Sequence, residues 1–164
     1  MVNLNVVVKI AKSEHKTTLT RLLQLYMYDF TEYTDAAVNS SGLFALLPDL
    51  DNYWLESNTH FPYIIRVNNE IAGFAFVKKV TEENRKYYYL AHFFIMRKYR
   101  RASVGKQAAI TVIKNHCGEW ELYQLDRNIP AQRFWSHVIG EFTHGEYAER
   151  HENGRRYQTF RNNN

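Results

Sequence analysis

From Tyr87 to Met96 the chain reads YYYLAHFFIM, with almost no polar interruption. The run falls well short of the ~20 residues that a membrane-crossing helix needs. It also lacks the strict alternation of a strand with one wet face. It reads instead as a strand covered on both faces, which requires other layers above and below it.

The rest of the chain supplies those layers. Asn5 to Ala11 is short, β-branched and apolar, a first strand. Ser13 stands at an N-cap position, with Lys16 where a capping box would carry Glu or Gln. Leu19, Leu22, Leu23, Tyr26 and Phe30 then follow in steps of three and four, an amphipathic helix. Residues 34–60 mix turn residues with aromatics. A short helix is expected at Asp51 to Ser57, with Tyr53 and Trp54 as packing residues, and the remainder is a long loop of the kind that often carries function. In FPYIIRVNNEIAGFAFVKKV two β-rich runs flank Asn68-Asn69, a pair tolerant of positive φ, so a hairpin is expected. Ser103 to His116 is a helix lined by Val104, Ala108, Val112 and Ile113, stopped at Cys117-Gly118. Glu119 to Leu125 is a strand, and Pro130 sits in the first turn of a helix through Phe134, Trp135 and Val138. The tail alternates about Asn153-Gly154, a second hairpin, with only the last three asparagines frayed. The order predicts a mixed α/β (α+β) domain spanning 1–164. Its sheet is mostly antiparallel, with one strand–helix–strand crossover in the second half.

Composition narrows the function only a little. Hydrophobic residues are 45% and aromatics 15%, enough for a real core. The net charge of +4 is a weak preference for anions. Lys and Arg are scattered except at Arg97, Lys98, Arg100 and Arg101, so neither a nucleic-acid partner nor a membrane is expected. The single cysteine, Cys117, excludes an internal disulfide and suits a reducing compartment. The opening residues lack a signal-peptide pattern, so a cytoplasmic location is expected. Seven histidines and one cysteine fall in no metal-ligand spacing, and no metal is expected.

The stretch that invites chemistry is FFIMRKYRRASVGKQAA, Phe93 to Ala109, where a strand runs through a basic turn into a helix. The first amides of a helix have no partner within it, and the helix dipole adds partial positive charge there. Ala102, Ser103 and Gly105 are small enough to let an anion approach the backbone, and Arg100, Arg101 and Lys106 add charge. A pyrophosphate cradle fits these features. A solvated basic turn fits them equally well.

YRRASVGKQAA resembles the acyl-CoA signature of the GNAT acyltransferase superfamily, Arg/Gln-x-x-Gly-x-Gly/Ala. Arg100 stands first, Gly105 last, and Ser103 where the middle glycine is usual. NIPAQRFWSHVIG, Asn128 to Gly140, is similar to the second signature of that family on the following helix. The resemblance implies a twisted sheet of about six or seven strands with a splayed parallel pair, and acetyl-CoA as cofactor. It implies that Ile95, Met96 and Arg97 meet the pantetheine. It further implies that Arg100, Arg101, Ala102, Ser103, Val104, Gly105 and Lys106 hold the pyrophosphate, and that Asn128, Ala131, Phe134 and Trp135 lie along the other arm.

The reaction implied is direct attack of an amine, on a small molecule or a protein, upon the thioester in a ternary complex. A catalytically weak acyl-CoA sensor is the alternative. The strand amide of Ile95 is the expected oxyanion donor. The family often places a Glu on the central strand and a Tyr on the last helix. Here no Glu occurs between Tyr87 and Met96, and Trp135 takes the tyrosine position. His92, the near-neutral titrating group of the strand, is the candidate base, with Asp126 second. A hydrogen-bonded structural histidine is the other reading. Simple alternation puts His92 on the face of Leu90, Phe94 and Met96. Tyr123 and Ser136 are the substitute acids. Tyr28, Asp29, Tyr33 and Asp35 are the candidates to hold a cationic acceptor, and exposed aromatics in the last hairpin permit a homodimer.

Overall fold

The computed structural model describes residues 3–164. The first two positions of the expected 1–164 domain, and of the opening stretch read for a leader, lie outside the described residues. Seven strands form one sheet in the order β1-β2-β3-β4-β5-β7-β6. They are β1 (Val6–Ile10), β2 (His60–Val67), β3 (Glu70–Glu82), β4 (Arg85–Ile95), β5 (Gly118–Leu125), β6 (Tyr147–Glu152) and β7 (Arg155–Asn162). The helices are α1 (Lys16–Phe30), α2 (Asn52–Leu55), α3 (Val104–Lys114) and α4 (Ile129–Thr143). All neighbouring strands are antiparallel except β4 and β5.

Both asparagine turns form as expected. Asn68 and Asn69 have φ of 49° and 70°, and Asn153 and Gly154 have 52° and 74°. Two positive φ values in succession give a two-residue turn whose twist matches that of the strands. The apolar strand begins earlier than its apolar run. It joins β3 through Glu83-Asn84 and extends back to Arg85, so β2, β3 and β4 form a meander.

Two local expectations are corrected. Ser13 is not the helix cap: it opens a short 3₁₀ turn, and the Lys12 amide donates to His15 Nδ1 at 3.1 Å. Asn162 is not frayed. It is 1% exposed, and its Nδ2 donates to the carbonyls of Ile113 and His116, satisfying the open end of α3.

The sheet is covered on both sides. Leu19, Leu22, Leu23 and Tyr26 of α1 pack on Phe74, Phe76 and Phe94. On the opposite face Val112, Ile113, Trp135, Val138 and Ile139 of α3 and α4 pack on Ala75, Val77, Leu90, Trp120 and Leu122. From Phe74 to Val77 the side chains of β3 alternate between the two layers, as the period of a strand requires; nearer its start, Ala72 lies between Ile71 and Gly73 without a partner on β2.

The side chains of β4 do not. Val77 pairs with Leu90 and Phe76 with His92, so Ala91 is an extra residue without a partner, a β-bulge. Leu90 joins the α3–α4 layer, whereas His92 and Phe94 lie on the α1 side. The expectation that His92 shares a face with Leu90 is therefore corrected, because the inserted residue resets the alternation between them.

Candidate active site

β4 and β5 pair for only two registers, Tyr88 with Trp120 and Tyr89 with Glu121. Beyond these the two strands part. Residues 90–95 of β4 and 122–125 of β5 are the limbs of an open V, each limb bonded on its outer side to β3 or β7. The Met96 amide donates to Ala72 O on the β3 side at 2.8 Å. Successive amides of a strand point to opposite edges, so the Ile95 N–H one residue earlier points into the V. The Ile95 carbonyl points there too, but Arg100 Nε donates to it at 2.7 Å, and the Arg97 carbonyl accepts from the Arg100 amide at 3.1 Å. Of the backbone groups expected to meet pantetheine, those two carbonyls are already engaged.

At the open end of β4 the chain turns into α3 through two residues in the left-handed region, Arg101 at φ 66° and Ser103 at φ 61°. Ser103 has the backbone conformation that glycine adopts freely, and it accepts the cost of a side chain there. Its hydroxyl makes no cap hydrogen bond. Among the described residues, no group accepts from the amides of Arg101, Ala102, Ser103, Val104, Gly105 or Lys106; the first helical bond is Gln107 to Ser103 O at 3.0 Å. This end of α3 is therefore a set of unused donors with the helix dipole behind them, and it fits a diphosphate.

The cations of this turn are less free than the sequence suggests. Arg97 and Arg100 both reach Asp29 on α1, at 2.9 Å and 2.8 Å. Lys98 pairs with Glu70 at 2.7 Å and Lys106 with Glu141 at 2.6 Å. Arg101 has no carboxylate partner among the described residues. Burial pushes the Asp29 carboxyl up, but the two arginines outweigh it and hold it below the ordinary range. Asp29 thus anchors the turn to α1, and its charge is already matched.

Gly105 faces α4 rather than open space. A Cβ there would meet Phe134 Cε2 at 3.2 Å and Cζ at 3.3 Å. Phe134 stacks on Phe93, and Trp135 lies edge-on to both rings, inside the core. Asn128 caps α4, its Oδ1 accepting from the Ala131 amide at 3.2 Å. Ala131 packs against the α3–α4 core. Ser136 lies on that same side, where its Oγ accepts from buried Arg156 at 2.9 Å.

The α1 side of the V holds the titrating groups. His92 Nδ1 lies 3.0 Å from Tyr26 Oη in a shared hydrogen bond. Burial lowers the His92 pKa to about 4, so the ring is neutral near pH 7. The half-buried Asp49–Lys78 ion pair lies within electrostatic reach of the ring. Tyr89 and Tyr123 stack across the base of the V with centroids 6.4 Å apart, and Tyr157 of β7 lies 5.4 Å from Tyr123. Burial raises the phenols of both Tyr26 and Tyr89, keeping them protonated.

The sequence candidates divide accordingly. His92, Ile95 and Tyr123 come together at the V. Asp126 lies at its rim, where its amide donates to Gly154 O and its carboxylate is 3.2 Å from His151 Nδ1. Tyr28 is 65% exposed on the outer side of α1, two positions from the inward-facing Tyr26. Tyr33 lies near Asp29 and Arg100, and Asp35 is exposed. Sequence reasoning passed over Tyr26, Asp49, Lys78, Tyr89 and Tyr157. The helical period did place Tyr26 on the buried stripe of α1, the one available signal among them.

Comparison with known proteins agrees with this geometry. Residues 19–140 match the model of the Acetyltransferase (GNAT) family. No curated protein sequence matches the chain. Among solved structures, a GNAT-family acetyltransferase from Streptococcus pneumoniae is similar at TM-score 0.62 and 16% identity, over 94% of this chain and 97% of that one. PaiA N-acetyltransferase from Thermoplasma acidophilum, solved with coenzyme A, is similar at TM-score 0.67 and 11% identity, over 96% and 99%. Arabidopsis thaliana NAA60 with acetyl-CoA is similar at TM-score 0.65 and 12% identity, over 96% and 98%. At such identities the structures speak for the fold alone; the family match covers most of the sequence, and on it the chain belongs to the GNAT acetyltransferase family.

Proposed function

We propose that the protein transfers an acetyl group from acetyl-CoA to an amine, both bound at once in the β4–β5 V. The observation that carries this reading is the pairing of a cradle with a base. Unpartnered amides at the start of α3 lie at the open end of β4, and neutral His92 sits on the α1 side of the same strand. The amides of residues 101–106, with Arg101, would hold the diphosphate, and the inward Ile95 N–H would face the thioester carbonyl. The cofactor supplies an acetyl group on a good leaving thiol.

The protein's own residues supply the rest. The amine attacks as a free base, a C–N bond forms as the C–S bond breaks, and the nitrogen must lose a proton. His92 accepts it directly or through water, held by Tyr26. The Ile95 N–H donates to the carbonyl oxygen as it gains charge. Trp135 is packed between Phe93 and Phe134, and its indole supplies no proton, so this position of α4 offers no acid. The Tyr123 phenol on the β5 limb is the donor we assign to the departing thiolate.

The test is calorimetry with CoA followed by thiol release from acetyl-CoA across a panel of amines. Micromolar CoA binding with amine-dependent thiol release is expected. CoA binding without transfer to any amine would favour the sensor, and absence of CoA binding would overturn both.

A further inference from the structure

The bulge at Ala91 puts His92 on the face that carries Tyr89, Tyr123, Tyr157 and Arg155. Register fixes this. Tyr89 is beside Glu121 in the parallel pair, Tyr123 is opposite Tyr157, and Leu125 is opposite Arg155. Odd-numbered residues of β5 and β7 therefore share one side, while Trp120, Leu122 and Phe160 pack on the helices of the other. The β4 limb presents His92 and the β5–β7 limb presents Arg155.

The arginines of this face differ in one respect. Arg85 is matched by Glu119 at 2.9 Å and Glu121 at 3.1 Å. Arg150 is matched by Glu121 at 2.8 Å and Glu152 at 3.7 Å. Arg155 has no carboxylate within reach among the described residues. Its guanidinium lies 4.6 Å above the centre of the Tyr123 ring, with only phenols around it. Asp126 at the rim contacts His151 Nδ1 and Asp49 pairs with Lys78, and neither is among the groups that act on Arg155. One limb thus ends in an uncompensated planar cation, held by a ring and flanked by O–H donors. That is the set a carboxylate or phosphate would use.

We propose that the acceptor is a small amine that also bears an anionic group, carboxylate or phosphate, gripped by Arg155 over Tyr123 while the amine faces His92. This deepens the acetyl-transfer reading and rests on it. Arg85 and Arg150 are closed in ion pairs, and Arg161 lies at the far end of β7, opposite Glu119, where its Nε donates to Asn163 Oδ1; Arg155, opposite Leu125 on the limb of the V, is left as the anchor. A polycationic acceptor would meet repulsion there.

The probes are glycine, β-alanine, γ-aminobutyrate and O-phosphoethanolamine, with ethanolamine as the neutral control and spermidine as the polycation. Acetyl transfer gives kcat and KM, and calorimetry on the CoA-loaded protein gives amine affinity independently of turnover. An anionic amine should exceed ethanolamine at least tenfold in kcat/KM, and the better arm, carboxylate or phosphate, identifies the group. Arg155→Gln should raise KM for that amine at least tenfold and Arg155→Lys should recover part of the loss, with CoA affinity unchanged in both. Preference for ethanolamine or spermidine, or an unaltered KM in Arg155→Gln, overturns the proposal. If no amine is acetylated, anionic-amine affinity that Arg155→Gln abolishes upholds the anion site and sinks the transferase reading. No anionic-amine affinity in the wild type sinks the anion site itself.

Discussion

Leu90 and His92 lie two positions apart on one strand yet face opposite sides of the sheet, because Ala91 between them has no partner on β3. The bulge has a chemical consequence. It removes an imidazole from the packed α3–α4 layer and sets it in the V beside Tyr26.

His92→Gln tests that placement. Loss of a positioned proton acceptor should lower kcat about a hundredfold, with little change in CoA affinity. Burial holds the wild-type ring near a pKa of about 4, so the neutral, accepting form persists as pH falls through 6.5 and is lost only near 4. A histidine-ring NMR titration of the wild type, assigned against His92→Gln, checks this. A midpoint near 6.5 for the His92 ring would contradict the burial argument.

Much of the fold was legible because side-chain chemistry announces it. Asn68-Asn69 and Asn153-Gly154 tolerate positive φ, and both turns form there. The helical periods of 19–30 and 104–113 found the correct faces. The bulge at Ala91 has no such signature: alanine fits a paired or an unpaired position equally, and the insertion is defined only by what β3 places opposite. The Asp29–Arg97–Arg100 cluster joins residues 68 and 71 positions apart, and no local pattern encodes that meeting. Tyr28 drew notice as a phenol beside an acid, whereas Tyr26, on the buried stripe, is the one that reaches His92. Charge in the sequence was read as free charge, and the structure pairs most of it.

Two glycines should respond to alanine very differently. At Gly105 the added methyl meets the edge of Phe134 at 3.2 Å, which a small shift of the ring relieves. About 1 kcal/mol of destabilisation is expected, partly recovered by Phe134→Leu. At Gly73 the methyl would lie 1.9 Å from the Phe94 carbonyl oxygen, on backbone that cannot swing away. Gly73→Ala should therefore fail to fold or displace the end of β4 at Ile95, with CoA affinity lost. Thermal melts with CoA titration separate the two cases, and equal effects would refute the contrast.

Ser103 is the position where an added freedom should help. Its φ of 61° with no cap hydrogen bond means that the side chain brings strain without return. Ser103→Gly should stabilise by up to about 1 kcal/mol, or about 2–4 °C in Tm, while leaving CoA affinity within twofold. A valine there should do the reverse, since a β-branched residue is strongly disfavoured at positive φ. A destabilised glycine variant would mean that the hydroxyl contributes a contact this geometry does not contain.

His116 sets a second acid threshold, away from the V. Its ring packs at a tilt against Phe61 and Tyr88, each 4.6 Å away, and Nε2 lies 2.7 Å from Tyr63 Oη. Burial is the main reason that its pKa falls to about 4, with Lys79 adding to the effect. The unfolded chain titrates near 6.5 and so binds more protons than the folded one between the two values. The stability this residue contributes is full above about 6.5 and is lost as pH falls toward 4. His116→Gln should melt lower than wild type at pH 7, yet lose less Tm between pH 7 and 4.5. The measurement is Tm against pH for both proteins. Parallel curves would show that the ring is already protonated, or already exposed, in the folded state, and the buried packing against Tyr63, Phe61 and Tyr88 would then be wrong.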